Sequence, residues 1–157
     1  MIIVDVFVPG AAKTKGSMEV RNRATGAMKE SVVGSSRWRA LMAQAVRDDI
    51  ARRAVEWWAP ERVVPYANAV TVTVEAYLAP PSHDGQSMAW IRPIWSRAGD
   101  LDKLVRNVLD ALGSTSKNAK MNGGAIVDDN LVCRIVATKH VAPETTAAGV
   151  RIVVETL

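Results

Sequence analysis

The residues best suited to chemistry lie in two acidic stretches. The first is GDLDKLVRNVLDAL, residues 99 to 112; the second is IVDDN, residues 126 to 130. Asp100 and Asp102 stand where a helical stripe begins, so the chain there is still extended and alternate side chains can converge. Asp128 and Asp129 stand just before a run of β-forming residues. Two acidic pairs, one leading into a helix and one into a strand, could meet at one end of a sheet. Carboxylates held together repel unless a cation lies between them. Hard oxygen ligands suit Mg²⁺, which keeps several waters and needs only a few carboxylates; Mn²⁺ could substitute. Such a cation can polarise a phosphodiester and generate hydroxide from water. A plainer reading stays open for each pair: aspartate caps helices and favours their N-termini, and it is common in turns.

Arg106 lies one turn past Asp102 and can reach the same region. Its chemical reading is stabilisation of negative charge on a pentavalent phosphorane. An arginine is poorly suited to donate a proton, because its pKa lies above about 12. Its structural reading is an ion pair with Asp102 or Asp110 at helical spacing. Lys103, on a neighbouring face, could touch a phosphate or be solvated.

The elements that must carry these residues follow from periodicity. Residues 2 to 8 (IIVDVFV) read as a strand ended by Pro9-Gly10. Residues 10 to 34 read as a long loop or a short hairpin. Ser35 and Ser36 are candidate N-caps for a helix in which Trp38, Leu41, Met42, Ala45, Val46 and Ile50 recur at helical spacing, and which ends before Pro60. In residues 69 to 78, Val70, Val72, Val74, Ala76 and Leu78 alternate with Thr71, Thr73, Glu75 and Tyr77, the pattern of a half-buried strand. A long loop at 80 to 98 carries Trp90, Trp95, Arg92 and Arg97. Leu101, Leu104, Val105, Val108, Leu109 and Leu112 give the clearest helical stripe, stopped by Gly113. Two strands, 131 to 139 and 148 to 156, complete the order β-α-β-α-β-β. This is an α+β class: a small mixed β-sheet with two main helices, in a single domain over 1–157.

Composition narrows the setting. A chain of 157 residues supports one real core. The lone cysteine, Cys133, excludes an intrachain disulfide and a cysteine zinc site, since the only histidines, His83 and His140, lie far apart. One free thiol fits a reducing cytosol, and the apolar opening meets Asp5 too soon for a secretory signal. No run approaches the roughly 18 apolar residues of a membrane span. The net charge of +4 and a pI near 9.5 favour an anionic partner, modestly.

The pattern DLDKLxRxVLDAL, then a variable loop, then DDxxV and a lysine ten residues after Asp129, resembles the RusA-type Holliday junction resolvases, common in bacteriophages and prophages. The motifs cover roughly 99 to 140; the N-terminal third agrees only in layout and in a basic loop. The resemblance implies a Mg²⁺-dependent homodimeric endonuclease that makes paired nicks in four-way DNA junctions during recombination and repair. By position it implies Asp100, Asp102 and Asp129 as metal-binding catalytic carboxylates, with Asp128 the first acid of its pair. Arg106 falls where several members have a catalytic lysine, Lys103 where some have asparagine, and Ala98-Gly99 where a Pro-Asp step is frequent. Lys139 matches a later lysine. A fully extended 129–139 would set it about 33 Å from Asp129, which suits a DNA contact rather than the metal shell; a solvated strand end is the other reading.

Lys13, Lys15, Arg21, Arg23 and Lys29 are candidate backbone-phosphate contacts. Trp90 and Trp95 could stack on opened bases or fill a hydrophobic gap. A C2 dimer would match the two-fold character of a junction. The other readings are a fork or branched-DNA endonuclease, and a non-catalytic DNA-binding dimer whose acids only cap a helix and a turn.

Overall fold

Strands rich in β-branched residues build one four-stranded sheet. The computed structural model describes residues 1–13, 18–22, 27–30, 34–56, 66–79, 100–114, 122–144 and 147–157. The sheet contains β1 (Ile2–Pro9), β4 (Val70–Leu78), β5 (Val132–Val141) and β6 (Gly149–Thr156), in the order β1-β6-β4-β5. β6 pairs antiparallel with both β1 and β4, while β4 and β5 are parallel. The helices are α1 (Ser35–Glu56) and α2 (Leu101–Leu112). A separate antiparallel hairpin joins β2 (Met18–Asn22) to β3 (Ala27–Glu30), so the basic segment between the first strand and α1 is the short hairpin, not the long loop. The class is α+β with a mixed sheet, and the main elements run β-α-β-α-β-β. Among the described residues no helix is long and apolar enough to cross a membrane.

The alternation in β4 is complete: Val70, Val72, Val74, Ala76 and Leu78 are buried, and the residues between them are half-buried. The buried face joins Val4, Val150, Ile152 and Val154 from the neighbouring strands. α1 and α2 contribute Trp38, Met42 and Val46, and Leu104, Val108, Ala111 and Leu112, to the same core. α2 follows its predicted bounds. In α1 one expectation changes: Leu41 is 50% exposed. The buried line runs through Trp38, Met42, Val46 and Asp49 instead, and Leu41 falls one residue outside it. Ser35 is the first helical residue and buried, preceded by Gly34 at φ 84°, so the chain enters α1 by a glycine turn.

Asp49 fastens α1 to β1. Its carboxylate accepts from the Asp5 backbone N–H at 2.9 Å and from Arg53 Nε at 2.8 Å, and it also pairs with Arg52. Burial pushes its carboxyl up, but the bonds from Asp5, Arg53 and Arg52 outweigh burial and hold it below the ordinary value. A carboxyl depressed in the fold stabilises above its unfolded pKa, and that contribution fades as pH falls through the folded value. Asp49→Ala is therefore expected to cost about 1.5–3 kcal/mol at neutral pH, the range of a charge-assisted hydrogen bond. Urea melts of wild type and variant should show this gap shrinking in acid.

Candidate active site

A parallel pair of strands needs a crossover, and α2 supplies it between β4 and β5. In such a unit the helix runs back against the strands, so its N-terminus lies toward the far ends of β4 and β5. At its other end, the Leu112 carbonyl accepts from the N–H of Ala125 at 2.9 Å and of Ile126 at 3.3 Å. Gly113 bridges to Ile126, and Ser114 Oγ donates to the Val127 carbonyl at 3.0 Å. The Gly123 N–H donates to the Ala111 carbonyl at 2.8 Å, and a Cβ at Gly123 would collide with that oxygen. The strand that delivers the second acidic pair is thus seated on the C-terminal end of α2.

Asp100 is the N-cap residue of α2 by its extended backbone (φ −73°, ψ 139°), yet its side chain caps nothing. Its carboxylate instead meets Lys103 Nζ at 3.0 Å. The hydrogen bond and charge of Lys103 hold the Asp100 carboxyl below its ordinary value, with a smaller contribution from Lys139. The same pairing raises the Lys103 ammonium. The capping explanation therefore does not account for Asp100. Asp102 is exposed in the first turn and makes no ion pair among the described residues. Arg106 is exposed too and pairs with neither Asp102 nor Asp110; Asp110 faces Arg39 of α1 at 3.6 Å.

Asp128 has an extended backbone and caps the 3-10 turn Asp129–Leu131, its Oδ1 accepting from the Asn130 N–H at 3.0 Å. That turn lies against α2. From Asp102 to Leu112 the helix rises about 15 Å, and three extended residues carry the chain about 10 Å from Ile126 to Asp129. The first acidic pair thus stands at the N-terminus of α2, and the second follows the segment bonded to its C-terminal residue Leu112. They do not meet across one end of the sheet, because a crossover helix and the strand after it start at opposite ends. Among the described residues no three acid, histidine or cysteine side chains are gathered closely enough to hold an ion. The donor chemistry, all carboxylate oxygen on exposed or half-exposed residues, suits a hard divalent cation.

Lys139 is placed by register. It pairs with Ala76, whose side chain is fully buried beneath the helices, so Lys139 projects on the α2 side of the sheet. That puts its charge within reach of Asp100. Of the candidate phosphate contacts, Lys13 is exposed, Arg21 lies on β2 and Lys29 on β3. Lys15 and Arg23, and Trp90, Trp95, Arg92 and Arg97, lie outside the described residues. The sequence reading missed Asn107, fully buried on α2 and bonded to Arg39 Nε at 2.9 Å and to the Lys13 carbonyl at 2.7 Å. A signal was available: it stands among Leu104, Val108 and Ala111, where an apolar side chain would be expected.

A family model described as Endodeoxyribonuclease RusA matches residues 23–155 of the chain. No curated protein matches it. The match spans both acidic pairs, Arg106, Lys103 and Lys139.

If Lys103 holds Asp100 down, Lys103→Met should move the Asp100 titration upward toward the ordinary carboxyl range. Carboxyl-carbon NMR across an acid titration would read it. An unmoved midpoint would mean that Lys103 is not the cause.

Proposed function

Because the chain belongs to the RusA endodeoxyribonuclease family, the Holliday junction resolvases, we propose that it cuts four-way DNA junctions by paired nicks, as a Mg²⁺-dependent homodimer acting in recombination and repair. Phosphodiester hydrolysis with metal dependence is the family's chemistry; the choice of Mg²⁺, the pairing of nicks and the cytoplasmic setting in a bacterial or phage-infected cell are our reading. The observation that carries it is Asp100. It occupies an N-cap position without capping, its carboxylate paired with Lys103 instead, and Asp102 stands exposed two residues on with no ion pair among the described residues.

In this reading Asp100, Asp102 and Asp129 would hold the cation, with Asp128 fixing the turn that presents Asp129. A bound divalent cation supplies polarisation of the phosphodiester and acidification of water. Lys103 orients Asp100 through their ion pair. Arg106, exposed one turn past Asp102, stabilises charge on the phosphate oxygens; a guanidinium performs this without giving up a proton. Lys139 adds positive charge at the Asp100 end. Lys13, Lys15, Arg21, Arg23 and Lys29 bind backbone phosphates, so affinity falls as salt rises. Two identical subunits would bring two such sites to the two symmetric strands of a junction.

Cleavage of labelled four-way junctions and of linear duplex, with Mg²⁺ or with EDTA, tests the reading. Wild type should cut the junction only with metal. Asp102→Asn should still bind the junction but cut it at least about 100-fold more slowly, the scale on which one charge-stabilising group acts. Equal rates for variant and wild type would remove Asp102 from the site. Equal cutting of linear duplex would leave a nuclease without junction selectivity. Arg106→Lys should retain far more activity than Arg106→Ala if only charge is required.

A further inference from the structure

We propose that Lys103 is a built-in counter-ion for the acidic pair at the start of α2, and that a divalent cation must displace its ammonium to bind there. The proposal rests on the metal-dependent reading above and concerns a residue of this chain that the reading leaves as a mere neighbour. Its basis is a contact. Lys103 Nζ lies 3.0 Å from Asp100 Oδ2, three residues apart on the first turn of the helix. The two side chains are 43% and 67% exposed, so the pair can be opened from solvent.

The position is an unusual one for a lysine. Unpaired N–H groups make the start of a helix positive, so a cation there is disfavoured. An aspartate at the N-cap ordinarily turns its carboxylate back to the backbone N–H of the second or third helical residue. Here the third helical residue is Lys103 itself, and Asp100 makes no capping bond. The carboxylate is drawn to the ammonium of that residue instead of to its N–H. After Asp100, two more charges act on the ammonium: Asp102 attracts it and Arg106 opposes it. Lys103 is thus held at the acidic end of the helix, in the field of both carboxylates that start it.

A cation drawn to Asp100 and Asp102 meets this ammonium first. Exposed ion pairs are weak, whereas a hard divalent cation bonds directly to carboxylate oxygen, so Lys103 yields once the ion is abundant. Its charge still counts against the ion. Charges of +1 and +2 about 6 Å apart in water repel enough to change an affinity roughly tenfold, and less as salt screens them. Lys103 therefore keeps the free protein's affinity for a divalent cation below what the bare carboxylates would give, and it is released from Asp100 when the cation binds.

Full-length protein without DNA tests this, with Mn²⁺ as the probe and its free concentration read by EPR. Lys103→Met and Lys103→Gln should bind Mn²⁺ about 3- to 10-fold more tightly than wild type at low salt, with the gap closing as salt rises. Lys103→Arg keeps the charge and should bind no more tightly than wild type. Asp100→Asn should weaken binding in every background. In wild type, Mg²⁺ should shift the nitrogen NMR signal of the Lys103 ammonium and the carboxyl-carbon signal of Asp100 with one midpoint. Equal affinities for wild type and Lys103→Met, or a Lys103 signal that stays fixed while Asp100 responds, overturns the inference and leaves the metal reading standing. If no variant binds Mn²⁺, or if Asp100→Asn binds it as well as wild type, the metal reading fails and the inference fails with it.

Discussion

Two parallel strands cannot be closed by a hairpin, and the arrangement of this molecule depends on that constraint. β4 and β5 are parallel neighbours, so the chain must leave the sheet, return along its face and re-enter at the starting end. The return path is α2. Its apolar stripe is buried because it must cover β4, whose inward side chains are all aliphatic. Its polar flank is exposed for the same reason, and Asp102, Lys103 and Arg106 occupy that flank. The acids of the second pair lie beside it because the chain re-enters β5 there.

Charge follows from this geometry. Asp100 and Asp102 lie close in sequence at the positive end of a helix, where ionised carboxylates are favoured. One would expect the first to cap and the second to pair along the helix. Neither happens: Asp100 turns to Lys103, and Asp110, which could have taken Arg106, faces Arg39 on α1. Among the described residues Arg106 pairs with neither acid of its own helix. At the N-terminal end the two lysines, Lys103 and Lys139, come from the helix and from the sheet, and both hold the Asp100 carboxyl below its ordinary value.

The parts of this fold that were legible from sequence are those governed by one element at a time. The bounds of α2 follow from the spacing of Leu101 to Leu112, and β4 from strict alternation, because burial on one face imposes a period. Leu41 was misjudged because α1 is long and its stripe drifts: Trp38, Met42 and Val46 set the buried line, and Asp49 completes it with a charge that no apolar pattern would include. Lys139 shows the same limit across strands. Counting extended residues from Asp129 sends it far away, whereas pairing with Ala76 brings it to the α2 face and into reach of Asp100. That register, with its irregularity near Val70, belongs to two strands about sixty residues apart in sequence and is written in neither.

Asn107 is where these levels meet. Helical spacing alone would give its position to leucine or valine, and a buried amide left unbonded would cost about 1–3 kcal/mol. Both of its polar ends are satisfied, so the cost is offset only while α1 and the Lys13 carbonyl stay in place. An apolar side chain there would tolerate sliding of either neighbour, because dispersion has little directional preference. A bonded amide does not, since hydrogen bonds weaken steeply when misaligned. The buried asparagine thus exchanges some tolerance for geometry. It does so on the helix that carries Asp100 and Asp102 and against the backbone at Lys13, a few residues past the end of β1.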